Sequence, residues 1–264
     1  MIIKPNVMES VMAKMRILPA RPATHRDVLK ALENADFSAS EIARKINQDV
    51  ALTAHVLKMA NSVLFAPTEK ISSTSQAVSM IGTMRIKGLV STAWAFQLLD
   101  ESKKVPGFDP RTEWHHALEV GSQCLEMAKS VHCDSKTEDE AFSAALLHDV
   151  GKVLIAVNMP EVFAAVTEEA EERKLGRWLV EQEMLGFDHA DLGAQVLKGW
   201  DMPEQIVTAV REHHQPGEDT VKTFNPLILV HLSNCKVMGI EPHAECFGRY
   251  CVAKMVWERL SHSG

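Results

Sequence analysis

The sequence has no C-x-x-C pair. Its five cysteines are Cys124, Cys133, Cys235, Cys246 and Cys251. An odd number at wide spacing speaks against a disulfide framework and against a zinc knuckle. Reduced thiols in a cytoplasmic protein are the expectation. No run of 18 apolar residues occurs, so no membrane-spanning helix is expected. The start, Met1 to Ser10, has no apolar core followed by a small-residue cleavage site, and it does not read as a secretory signal. Glycine-rich phosphate loops of the P-loop and G-x-G-x-x-G kinds are also absent. Basic charge is in deficit: 28 Lys and Arg face 35 Asp and Glu, a net charge of −7. Duplex nucleic acid is not an expected partner, because its affinity depends mainly on basic residues neutralising phosphates.

What is present is an ordinary globular balance, 46% hydrophobic and 24% charged over 264 residues. That excludes a disordered chain, which lacks the apolar surface to offset ordering entropy. The length suits one large domain or two small ones. Histidine is plentiful, at twelve residues. The thirteen methionines read as core filler ahead of a contact surface.

The periodicity is helical nearly throughout. Ser38 to Glu41 forms a capping box, with Ile42, Ala43 and Ile46 following at helical spacing. Asp49 starts the next helix, and residues Met84 to Leu99 form a longer, mostly apolar one. The charged stretch Asp100 to Pro110, with two prolines and a glycine, marks a boundary between lobes. Further helices are expected over Thr112 to Val131 and, from a second capping box at Thr137 to Glu140, through Leu147. Pro160, His189, Pro203 and Asn225-Pro226 open four more, and the last runs from about Glu245 to Leu260. No segment of four to eight residues alternates as a strand, so the expected class is all-α. No fixed-period repeat is evident.

The chemistry is carried by histidine and aspartate. An apolar stretch delivers His148 and Asp149 side by side, and Gly151 then loosens or ends the turn. Adjacent helical residues point about 100° apart, so one group can hold a metal while its neighbour reaches a second. A buried histidine at a helix end explains the dipeptide equally well. His116, His189 and the pair His213-His214 extend the set. Neutral imidazole is the commonest metal ligand, and facing helices of a bundle can build such sites from scattered positions. Spacing alone leaves a shared site and separate core or surface histidines both open.

From about Ile17 to Gly239 the chain resembles the HDOD domain, a bacterial relative of the HD-type metal-dependent phosphohydrolases. Its N-terminal matches are Leu18 to Pro22, Ile46 to Thr53, Ala60 to Ser62, Ile71 to Val78 and Ile81-Gly82. The C-terminal matches are Leu147 to Lys152, Asp188 to Gly193, Trp200 to Pro203 and His213 to Pro216. The resemblance implies an N-terminal helical bundle (residues 1–105) packed on an HD-like bundle (residues 106–264). It implies His116 as the first-helix ligand and His148 with Asp149 as the central pair. His189, His213 and His214 match the additional ligands of the two-metal HD-GYP branch. The family's final Asp falls where this chain has Asn234, a neutral and weaker ligand or a core amide. The segment after His214, Gln215 to Thr220, carries no Gly-Tyr-Pro signature and gives no support for cyclic-dinucleotide hydrolysis.

Metal binding is the favoured reading of these residues, by one or two divalent ions, iron first and manganese, nickel or zinc as alternatives. Lys152 is either a contact for a bound phosphate or an ordinary cation near a helix C-terminus. His25, His55, His115, His132, His231, His243 and His262 are surface or packing residues. The expected function is a signalling or regulatory module acting through a protein partner, a bound phosphate-containing ligand or a homodimer. The two lobes use the whole chain, so no output domain is expected. The alternative is a metal-dependent phosphohydrolase, in which Asp149 bridges the ions and a metal-bound hydroxide attacks a phosphoester. A helical adaptor without ligand is the third reading.

Overall fold

The fold is seen in a computed structural model. It describes residues 8, 23–34, 38–62, 65, 67–97, 105–217 and 224–242. Every regular element among the described residues is helical, so the class is all-α. Two units separate: residues 23–97 belong to one and residues 105–242 to the other.

The first unit has five helices: α1 (Ala23–Glu33), α2 (Ala39–Ile46), α3 (Val50–Ala60), α4 (Thr74–Ile81) and α5 (Thr83–Gln97). The capping box at α2 forms as the sequence predicts: Ser38 accepts from the Glu41 amide, and Glu41 accepts from the Ser38 amide. Asp49 caps α3 by accepting from the Leu52 amide. α1 and α4 carry no strong start signal and are not evident from the sequence. Val28, Ile42, Ile46, Leu52, Val56, Ile86 and Leu89 form a fully buried core. Asn61 ties the end of α3 to the segment before α4. Its amide donates to the Leu57 and Ile71 carbonyls, and its Oδ1 accepts from the Ile71 amide, each at 2.8 Å.

The second unit contains α6 (Pro110–Ser130), α7 (Ser135–Leu147), α8 (Val150–Asn158), α9 (Pro160–Arg173), α10 (Arg177–Leu185), α11 (His189–Gly199), α12 (Glu204–Glu212) and α13 (Pro226–Met238). α7 starts earlier than expected. Asp134 is its cap, accepting from the Thr137 amide at 2.8 Å, so Thr137 lies inside the helix. The carboxylate precedes Thr137 by the same three residues that define a capping box, and it takes the role first. α8 and α10 are not evident from the sequence. The expected helix at 245–260 and the Leu18–Pro22 match lie outside the described residues.

Helix α7 packs on α6, α12 and α13, while α11 packs on α8 and α12. The α8–α11 contact is backbone against backbone. A Cβ on Gly151 would stand 1.9 Å from the His189 carbonyl oxygen. Gly151 thus lies within a helix rather than ending one, and its missing side chain lets the start of α11 reach the start of α8. His148 and Asp149 occupy the break between α7 and α8, where Asp149 leaves helical geometry at φ −102° and ψ 11°. No single described helix is long and apolar enough to cross a membrane.

Candidate metal centre

Five elements deliver side chains to Asp149. α6 carries His116, the α7–α8 break carries His148 beside Asp149, and the first residue of α11 is His189. The end of α12 leads into His213 and His214, and α8 contributes Lys152. Asp188 caps α11 in a box with Asp191, and this fixes His189 at the helix start. The five histidines that the sequence offers as ligands gather around the sixth candidate, the Asp149 carboxylate.

The two Asp149 oxygens face different neighbours. Oδ1 lies 3.2 Å from His189 Nε2 and 3.7 Å from His213 Nε2. His214 Nε2 is 2.8 Å from His189 Nε2, which brings it into the same pocket. Oδ2 lies 3.2 Å from His148 Nε2 and 3.6 Å from His116 Nε2, and those two nitrogens are 3.2 Å apart. The Lys152 ammonium sits 2.6 Å from the same Oδ2. Ligand atoms within each group, Asp149 with His189, His213 and His214, and Asp149 with His116 and His148, all fall within 4.8 Å of one another.

The imidazoles are oriented from behind. His148 Nδ1 donates to the Ala145 carbonyl at 2.6 Å, and His213 Nδ1 donates to the Val210 carbonyl at 2.7 Å. His189 Nδ1 donates to Glu181 Oε2 at 2.5 Å, and the same oxygen accepts from the His189 amide. A neutral imidazole protonated at Nδ1 presents an unshared pair at Nε2, the arrangement that a metal requires. Asp149 Oδ1 and His213 Nε2 are buried without a hydrogen-bond partner. These two acceptors lie 3.7 Å apart with His189 Nε2 beside Oδ1 at 3.2 Å, so a metal ion that takes the place of the His189 proton satisfies all three atoms. The donor set of imidazole and carboxylate fits a first-row divalent ion.

Burial lowers the His116 pKa to about 4, and charge on His148 acts in the same direction. Burial also holds His213 and His214 well below the usual imidazole range. In His189 burial opposes charge, but Glu181 outweighs it and the pKa rises to about 9. Burial opposes ionisation of Asp149, yet His148 and Lys152 keep its pKa well below the usual carboxylate value. Lys152 is likewise raised against burial, by Asp149 and Glu113. The centre therefore holds a carboxylate, an ammonium, a protonated His189 and three uncharged imidazoles, those of His116, His213 and His214, near neutral pH.

Some of the surrounding residues carry no signal in the sequence. Glu181 is fully buried behind His189, and its spacing from Arg177 reads only as an i,i+4 surface pair. Trp178 stacks on His214 with ring centroids 5.5 Å apart. Glu113, one turn before His116, is an electrostatic neighbour of Lys152 and Asp149, and burial raises its pKa. Asn234 on α13 lies beside His116, with its side chain buried. His115 is exposed, and buried His231 donates to the His213 carbonyl at 2.7 Å, so it supports the site from behind.

A family model for the HDOD domain matches residues 18–216. The chain belongs to the HDOD domain family. An uncharacterized protein of Treponema pallidum (strain Nichols) is 28% identical over 223 residues, which is 83% of this chain and 42% of that protein. The chain thus spans less than half the length of the curated relatives it matches. An HDOD domain protein of unknown function from Geobacter sulfurreducens is similar in structure, with a TM-score of 0.72 and 24% identity over 98% of this chain and 88% of that one. A provisionally named signal transduction protein of Marinobacter aquaeolei VT8 aligns with a TM-score of 0.68 and 18% identity, over 96% of this chain and 61% of that one. A provisionally named phosphohydrolase of Shewanella amazonensis SB2B gives 0.67 and 23%, over 96% and 98%. At these identities the solved structures establish the HDOD fold.

Proposed function

We propose that the chain is a bacterial HDOD signalling module whose 105–242 unit binds a divalent first-row ion, iron first. It acts through a protein partner or a bound phosphate-containing ligand. The observation that carries the metal reading is the convergence of His189, His213 and His214 on the buried Asp149 Oδ1, with His213 Nε2 unpaired and the imidazoles of His189 and His213 already oriented from behind. The signalling role is supported by family membership and by the name of the Marinobacter relative. Asn234 beside His116, in place of a carboxylate, weighs against full catalytic equipment.

The test is elemental analysis of protein purified without chelator, beside the double variant His148→Ala, Asp149→Ala. Wild-type protein is expected to carry metal and the variant none, with helicity by circular dichroism unchanged. Equal metal in both overturns the reading.

A second reading, a metal-dependent phosphohydrolase, is favoured by Lys152, a cation at the centre that could meet a phosphoryl oxygen. A bound divalent ion supplies an acidified water and polarises a phosphoryl oxygen. Asp149 holds that ion, Lys152 orients the anion, and the buried helices exclude bulk water. Turnover of simple aryl phosphate mono- and diesters by metal-loaded protein is the measurement. Rates no higher than those of Asp149→Ala sink this reading and leave the signalling module.

A further inference from the structure

The two sides of Asp149 are unequal. The Oδ1 pocket offers a carboxylate oxygen and three imidazoles, from His189, His213 and His214, and no lysine or arginine stands on that oxygen: its nearest partner is His189 Nε2 at 3.2 Å, itself one of the donors once its proton leaves. It is a complete four-donor set for a tetrahedral ion. Behind it, buried Glu181 accepts from both the amide and the Nδ1 of His189, which makes Nε2 a better donor and adds negative charge near the ion. The Oδ2 pocket offers two imidazoles, and its carboxylate oxygen already holds the Lys152 ammonium at 2.6 Å. The neighbouring position on α13 supplies only the neutral amide of Asn234. Glu113, also on this side, faces Lys152 and balances the ammonium.

We propose that the centre takes a single divalent ion in the Oδ1 pocket, with the Lys152 ammonium standing on Oδ2 in place of a second ion. The physical reason is charge and donor count. A dication near Oδ2 has to displace an ammonium at contact distance or sit beside it, with too few anionic donors to offset the repulsion. This rests on the metal-site reading above and adds number and position to it. It also assigns Glu181 a positioning role that needs no contact with the ion.

The experiment uses the full chain, stripped with chelator, dialysed, and titrated with Co²⁺ by calorimetry, with bound metal counted by elemental analysis. Wild-type protein is expected to bind one equivalent. His213→Ala and His214→Ala lose it, and His116→Ala keeps it with affinity within about threefold. Glu181→Gln weakens the ion by about 10- to 100-fold, the usual effect of removing an outer partner. Lys152→Gln admits a second equivalent. His214 is only half-buried, so His214→Ala decides the question if His213→Ala does not fold by circular dichroism. Two equivalents in wild-type protein overturn the inference and leave the metal site standing. So does one equivalent lost in His116→Ala but kept in His214→Ala. A second equivalent absent from Lys152→Gln overturns the role of the ammonium. No metal in wild-type protein overturns both the inference and the reading on which it rests.

Discussion

At the scale of single residues, the metal-free protein has opposing proton linkages in its centre. His116 titrates at about 4 in the folded state against an ordinary 6.5, and His213 and His214 also lie well below that value. The unfolded chain takes up those protons before the folded one does, so their contribution is lost as pH falls from about 6.5 toward 4. His189 is displaced to about 9. Its contribution is present below about 6.5 and is lost as pH rises through 9. With chelator present, the thermal midpoint should fall on both sides of neutrality, more steeply in acid, where three histidines act together. A midpoint unchanged between pH 6.5 and 4.5 contradicts this account. The residues involved are partly legible from the sequence. His148-Asp149 and His213-His214 stand out as pairs. Glu181 does not, because i,i+4 spacing to Arg177 looks the same on a solvated face as on a buried one.

At the scale of elements, one helix junction decides whether the centre forms. α8 meets α11 through Gly151, where an added methyl would lie 1.9 Å from a carbonyl oxygen on a backbone that has little freedom to yield. Overpacking costs about 1–3 kcal/mol where side chains can move, and Gly151→Ala should reach or exceed the upper end. It should also remove metal by parting Asp149 from His189. Urea unfolding and metal content measure the two effects, and full metal at wild-type stability contradicts the assignment. α7 distinguishes two caps. Asp134→Ala should cost about 1 kcal/mol, within the 0.5–2 kcal/mol usual for a lost cap, and Thr137→Ala much less. The reverse order restores the capping box that the sequence suggests. Polar caps such as Ser38, Asp49 and Asn225 are readable because their mechanism is local. α10 is hard to read because it begins after Gly176 with no side-chain cap.

At the scale of the whole molecule, the proposed ligands all lie in one unit. A ligand that binds only the folded state stabilises it by about 2.7 kcal/mol at 100 times its dissociation constant. Hydrogen exchange with and without saturating metal should show the gain in α6, α7, α8, α11 and α12. Residues 23–97, which form their own unit, should be unchanged. Equal gains in both units contradict this division of labour.

By itself the sequence determined the class, the family and the residue types. Periodicity and caps are properties of neighbouring residues, and the HDOD matches run in order along the chain. The tertiary structure alone decided that Asp149 has two unlike sides, that Lys152 stands on one of them, and that Glu181 backs the other. Those facts depend on distances between residues many turns apart. Such distances are set by how α8 beds against α11 and how α7 lies among α6, α12 and α13, which no local pattern encodes.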